Sequence, residues 1–148
     1  MSRAKKIPFE TTLMVRDCCL CLHMQRAARN LARIFDEALR PLDLTNGQFS
    51  LLMSLNRPHP PAIKDVSTLL AMDRTTLTAA LKPLERRGLV SIEQDPDDKR
   101  SRLLSLTPEG ERLLAEALPV WQRTHAEIEQ PFSSAEVDRL RKQLRALS

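Results

Sequence analysis

The 148-residue chain predicts a mainly α fold with a single β-hairpin, in the order α-α-α-α-β-β-α-α. Three observations carry this. Apolar residues recur at spacings of three and four near both ends. Two Ser/Thr-x-x-Glu/Gln boxes mark helix starts. One pair of alternating segments flanks a polar, Asp/Pro-rich turn.

Residues 1–10 read as a loose arm. From Asp17 the pattern turns helical: Leu20, Met24, Ala27, Leu31, Ile34 and Ala38 form one stripe, with Arg26, Arg29, Arg33, Glu37 and Arg40 off it. Pro41 ends this helix or lies just past its end. Thr45 and Gln48 form a capping box for a short second helix whose core side is Phe49, Leu52 and Leu55. Asn56–Pro61 holds three prolines and no periodicity, so it is a loop. A third helix spans Ala62–Leu70, buried through Val66, Leu69 and Leu70. After a tight link, Asp73 caps a fourth from about Arg74 to Arg87, with Leu77, Leu81 and Leu84 inward. Gly88 ends it, and Pro83 should bend it.

Val90 and Ile92 alternate with polar residues, as do Leu104 and Leu106 on the return strand. Asp95–Ser101 is the connecting loop. Thr107-Pro108 starts a long helix that runs to about Gln130 and carries Pro119. Ser133 and Glu136 form the second capping box, for a last helix with Val137, Leu140, Leu144 and Leu147 on one face. Two short helices joined by a tight turn, then a two-stranded hairpin, make a winged helix-turn-helix over residues 45–107. The stripes in 11–44 and 108–148 lack partners inside so small a unit, which predicts dimerisation helices around one domain, 1–148.

Composition narrows the function. Lys and Arg number 23 against 19 Asp and Glu, a net charge of +4, and the pI is near 9.3; this permits nucleic-acid binding. Three glycines argue against Gly-rich phosphate loops. One Trp and no Tyr argue against stacking on single strands. No run of 18 apolar residues suggests a membrane span, and nothing resembles a nucleophile motif, so the chain is not expected to be an enzyme or to need a cofactor. Cys18, Cys19 and Cys21, clustered and odd in number, suit a reducing cytosol rather than a disulfide framework.

Arg74, Thr75, Thr78, Lys82 and Arg86 face away from the leucines of the fourth helix. Threonine hydroxyls and methyls and basic heads can meet phosphates or base edges in a major groove. The hairpin tip, Asp95–Ser101, sums to −1, so it is no basic patch. Arg100, braced by Asp98, is instead the candidate to enter a minor groove, with Lys99 beside it at phosphates.

Several segments together resemble the MarR family of bacterial transcription regulators. They are Thr45-x-x-Gln48-Phe49, Leu77-Thr78 to Gly88-Leu89-Val90, Asp95-Pro96-x-Asp98-Lys99-Arg100, and Leu104-Ser105-Leu106-Thr107-x-x-Gly110. The resemblance covers about residues 12–148. It implies a cytoplasmic homodimer with interleaved terminal helices, double-stranded DNA with a palindromic operator as partner, and repression relieved by a small aromatic or anionic effector. Arg74, Thr75, Thr76, Thr78, Lys82 and Arg86, with Asp98, Lys99 and Arg100 at the wing, match its DNA-contacting positions. Arg16, Arg26, Arg29 and Arg33 are candidates to meet an anionic effector.

Cys21 resembles in position the reactive cysteine of the family's organic-hydroperoxide sensors, although those use tyrosine hydroxyls and this chain has none. Cys18 and Cys21, an i, i+3 pair, are the redox candidates; small hydrophobes packed at a dimer seam are the plainer reading. His23 does not share their helical face, so no metal site is expected. A thiol-switched repressor and a protein-binding winged helix stay open as alternatives.

Overall fold

The helix signals act locally, as their chemistry requires. In the computed structural model, which describes residues 5–148, the Thr45 hydroxyl accepts the Gln48 N–H at 3.1 Å and the Gln48 amide oxygen accepts the Thr45 N–H at 3.0 Å. Ser133 and Glu136 repeat the exchange. The order is α1 (Phe9–Cys18), α2 (Leu20–Leu39), a 3₁₀ turn (Arg40–Leu42), α3 (Asn46–Ser54), α4 (Ile63–Leu70), α5 (Arg74–Arg86), β1 (Val90–Gln94), β2 (Arg102–Leu106), α6 (Pro108–Glu129) and α7 (Ser134–Ala146).

The N-terminal region departs from expectation. Residues 1–4 of the anticipated loose arm lie outside the described residues. The rest of that arm is shorter than expected, because α1 already starts at Phe9. Its β-branched Thr11, Thr12 and Val15 blur any stripe, and it buries no residue. The anticipated single first helix is broken at Cys19, whose ψ of 108° is extended rather than helical. Among the described residues five α-helices therefore precede the hairpin instead of four.

One apolar core joins the elements. Leu39, Leu52, Val66, Leu77, Leu84, Leu104 and Ala117 have no exposed surface. The single tryptophan is a hub: Trp121 of α6 stacks near Phe35 of α2 at 6.3 Å and Phe49 of α3 at 6.1 Å, and lies 4.6 Å from the His125 ring. Aromatic pairs at these separations add attraction beyond their buried area. α3 thereby links the long helices α2 and α6 to the smaller unit containing α4 and α5.

The hairpin is antiparallel, with Val90 opposite Leu106 and Ile92 opposite Leu104. Ala62 adds a single bridge to Leu103, and the Leu104 N–H donates to the Pro61 carbonyl at 3.0 Å. The proline-rich loop thus ends as a stub against β2. In α4, Ile63 and Val66 are buried, whereas Leu69, expected inside, is 59% exposed. On an eight-residue helix Ile63 and Val66 set the inward face, and Leu69 falls to its side. α5 runs through Pro83 to Arg86 with Leu81 and Leu84 still buried.

α6 begins where the chain after α5 ends. The Thr107 N–H donates to the Leu89 carbonyl at 3.1 Å, and the Thr107 hydroxyl donates to the Gly88 carbonyl at 2.5 Å. Gly88 itself takes φ +71°, the left-handed conformation that favours glycine. Gly110, in the first turn of α6, rests on that backbone. A Cβ there would collide with the Leu89 carbonyl oxygen and lie 3.0 Å from its carbon. Helix propensity alone predicts that Gly110→Ala stabilises the chain by about 1 kcal/mol. The close approach predicts instead a loss of roughly 2–3 kcal/mol, the scale of an overpacked core. Urea unfolding of the two proteins decides the sign.

Candidate nucleic-acid interface

α5 is set by its cap and its buried stripe. Asp73 accepts the Thr76 N–H at 2.8 Å and the Thr76 hydroxyl at 2.7 Å. These bonds, the backbone one foremost, hold the Asp73 carboxyl below its ordinary value of 3.8, so the cap stays charged at neutral pH. α4 ends just before it at Ala71, which takes φ 51°. The Ser67 hydroxyl closes the turn on the Met72 carbonyl at 2.5 Å. Leu77, Leu81 and Leu84 are 0%, 1% and 0% exposed, and burying each contributes about 2 kcal/mol. With that face held inward, Arg74, Thr75, Thr76, Thr78, Lys82 and Arg86 are all exposed. Thr76 differs from the others because its hydroxyl is occupied by the cap.

At the wing the acids serve the backbone. Asp95 accepts the Asp97 N–H at 2.9 Å, and Asp98 accepts the Arg100 N–H at 3.0 Å. Short acidic side chains make such bonds two residues ahead. The Ser101 N–H donates to the Asp98 carbonyl at 2.9 Å, and the Gln94 amide donates to the Lys99 carbonyl at 2.8 Å. The expected brace of Arg100 by Asp98 thus acts through the main chain of Arg100 and not through its side chain. Among the described residues no hydrogen bond or ion pair engages the side chain of Lys99 or Arg100. A stiff loop thus presents two cations with no protein partner.

The other candidates are scattered. Arg16 pairs with its neighbour Asp17 at 2.6 Å, and Arg33 donates to Asn30 at 2.5 Å. Arg26 and Arg29 are exposed on α2. The helix break separates Cys18, at the end of α1, from Cys21 on α2, so their expected shared face does not exist. Both are exposed free thiols. Cys19 caps α2, its sulfur accepting the Leu22 N–H at 3.5 Å.

A cavity of about 370 Å³ opens between α3, α4 and α6, lined by Phe49, Ser50, Met53, Leu69, Leu118 and Trp121 among others. No charged side chain lines it, and none of the four candidate arginines reaches it. Leu69, expected inside, is part of its wall.

A helix-turn-helix with a polar, cationic outer face and a stiff wing that presents Lys99 and Arg100 defines a winged-helix DNA-binding regulator. No helix among the described residues is long and apolar enough to cross a membrane. A family model described as "MarR family" matches residues 44–101. The organic hydroperoxide resistance transcriptional regulator of Bacillus subtilis (strain 168) is 30% identical over 101 residues, 68% of this chain and 69% of the relative. The HTH-type transcriptional regulator BilQ of Clostridioides difficile (strain CD3) is 29% identical over 116 residues, 78% of each. The crystal structure of the M. tuberculosis transcriptional regulator MOSR in complex with DNA superposes with a TM-score of 0.80 at 33% identity, covering 87% of this chain and 92% of that one. The chain belongs to the MarR family of transcriptional regulators and is not an enzyme.

The wing geometry makes a specific demand. Asp98→Asn keeps the oxygen that accepts the Arg100 N–H and removes the charge, so operator binding should hold or tighten. Asp98→Ala removes the bond and should weaken it, by less than Arg100→Ala. Loss of one base-groove contact is worth about 1–3 kcal/mol. Titrating the three variants against one operator at fixed salt checks this ranking; tighter binding by Asp98→Ala would mean that the wing acts by net charge alone.

Proposed function

We propose that the protein is a cytoplasmic repressor that binds a palindromic operator as a homodimer and leaves it when a small aromatic molecule occupies the cavity between α3, α4 and α6. The observation that carries the DNA reading is the outward row on α5 combined with the unpaired wing cations. In this reading Arg74, Thr75, Thr78, Lys82 and Arg86 meet the major groove, Thr76 holds the helix start, and Arg100, with Lys99 at the phosphates, meets the minor groove.

The dimer reading draws on unburied apolar surface. α1 and α7 bury no residue. Phe9, Leu20, Leu140, Leu144 and Leu147 are each at least 44% exposed, and Leu20, Met24, Leu140, Leu144 and Leu147 line one groove. A second copy would cover it.

The uncharged lining of the cavity favours an aromatic, neutral effector over an anionic one. Its walls come from α6 on one side and from α3 and α4 on the other, so an occupant would press the winged unit away from the long helices. The test is displacement of the protein from a labelled duplex of its own upstream region. The uncharged 2-naphthol should release it at lower concentration than salicylate. Ser50→Trp, which fills the cavity mouth, should bind DNA yet resist release. Equal release of Ser50→Trp and wild type, or salicylate as the stronger effector, would contradict the assignment.

A thiol-switched repressor is the second reading, favoured by the exposed Cys18 and Cys21 and by the Leu22 N–H directed at the Cys19 sulfur. In the same titration, cumene hydroperoxide would then release wild type but not the combined Cys18→Ser, Cys19→Ser, Cys21→Ser variant.

A further inference from the structure

Arg87 stands one residue beyond α5 and lies on none of the faces assigned to DNA. Its guanidinium donates to the main-chain carbonyl of Asp43 at 2.7 Å, across 44 residues of sequence. The carboxylate of Asp43 is only a loose second partner, 3.8 Å away and 96% exposed, while the Arg87 side chain is 31% exposed. A pair so open to water adds little. The directed bond is the one to the carbonyl, and its geometry is fixed by the chain: Asp43 takes φ 53°, and its own N–H donates to the Arg40 carbonyl at 2.9 Å. The acceptor is thus part of the rigid turn that ends α2.

The next two residues are held by a different element. The Gly88 and Leu89 carbonyls receive the Thr107 hydroxyl and N–H at the start of α6. The C-terminal end of α5 is therefore held at two places, by the turn that follows α2 through Arg87 and by the N-cap of α6 through Thr107. Elsewhere α5 packs on α4 and β1, within its own small unit. That unit also meets the long helices through α3, by apolar packing and by the Asn46 N–H, which donates to the Asp36 carboxylate of α2 at 2.6 Å. The bonds of Arg87 and of Thr107 are the ones that act at the end of α5 itself. Hydrogen bonds fix distance and angle.

We propose that Arg87 is a positioning residue that sets the orientation of α5 relative to α2, and thereby the half-site spacing the dimer accepts. The proposal rests on the homodimer and operator readings above. Moving one half-site by a base pair shifts it about 3.4 Å and turns it by roughly 34°. A dimer with rigidly set recognition helices should reject that change, and a dimer with a loosened grip should tolerate it.

The experiment is selection from a randomised duplex pool by the full-length protein, followed by counting half-site spacings. Wild type should enrich one spacing at least about tenfold over spacings one base pair away, the scale of one defective base pair. Arg87→Ala should lower that ratio to roughly threefold or less, with the salt slope of binding unchanged, because no phosphate contact is lost. Asp43→Gly keeps the left-handed turn and the carbonyl while removing the carboxylate, and should retain the wild-type spacing. Arg87→Gln, shorter but still polar, should broaden the spacing as Arg87→Ala does and serves if the alanine variant does not fold. A spacing ratio in Arg87→Ala or Arg87→Gln equal to wild type would overturn the proposal, whether or not affinity falls. A salt slope about one unit smaller with spacing intact would make Arg87 a phosphate contact instead. Selection of single half-sites by wild type would sink the dimer reading and the proposal with it; selection of no sequence would sink the operator reading.

Discussion

Everything outward-facing on α5 depends on what faces inward. Leu77, Leu81 and Leu84 are buried to the last atom or nearly so, and that stripe leaves the helix one rotational setting. A helix rotated by one residue, about 100°, would bring a leucine into water and a threonine or lysine into the core. The Asp73 cap fixes where the helix starts, and Gly88 where it stops. Between them the outward row from Arg74 to Arg86 is placed; apart from Thr76, whose hydroxyl bonds the cap, its side chains make no hydrogen bond or ion pair among the described residues.

The same economy runs through the wing and the long helices. Acids at the wing tip would repel DNA if they acted as free charges. Asp95 and Asp98 are instead occupied with backbone N–H groups, which stiffens the loop and leaves the two cations without a side-chain partner among the described residues. The long helices meet the winged unit through α3 and Trp121, so one apolar layer both supports the recognition helix and walls the cavity. In the proposed function, an occupant of that cavity and the operator would compete through shared packing rather than through a shared site.

Most of this was legible in the sequence because its signals are local. A capping box, an N-cap aspartate, a leucine stripe and an αL glycine act within a few residues, and each appears where its pattern places it. The break at Cys19 was not legible: the Leu20-to-Ala38 stripe continues a helical phase on one side only, and α1 has no buried face to register a stripe. Leu69 was misplaced because an eight-residue helix gives too few turns to fix its inward direction. Asp98 does meet Arg100, but at its backbone N–H; composition does not distinguish a carboxylate that binds a side chain from one that binds the backbone. The Arg87–Asp43 bond left no trace at all; it joins residues 44 apart and follows no periodicity.

The central claim is that the outer face of α5 and the wing tip are the surfaces that DNA covers. Acetylation of surface lysines, read by mass spectrometry with and without a bound operator duplex, tests it directly. Lys82 and Lys99 lie on those surfaces, whereas Lys142 lies on α7, far from them in the chain and exposed. Bound DNA should protect Lys82 and Lys99 and leave the labelling of Lys142 as it is in the free protein. Unchanged labelling of Lys82 and Lys99, with protection appearing at Lys142, would contradict it.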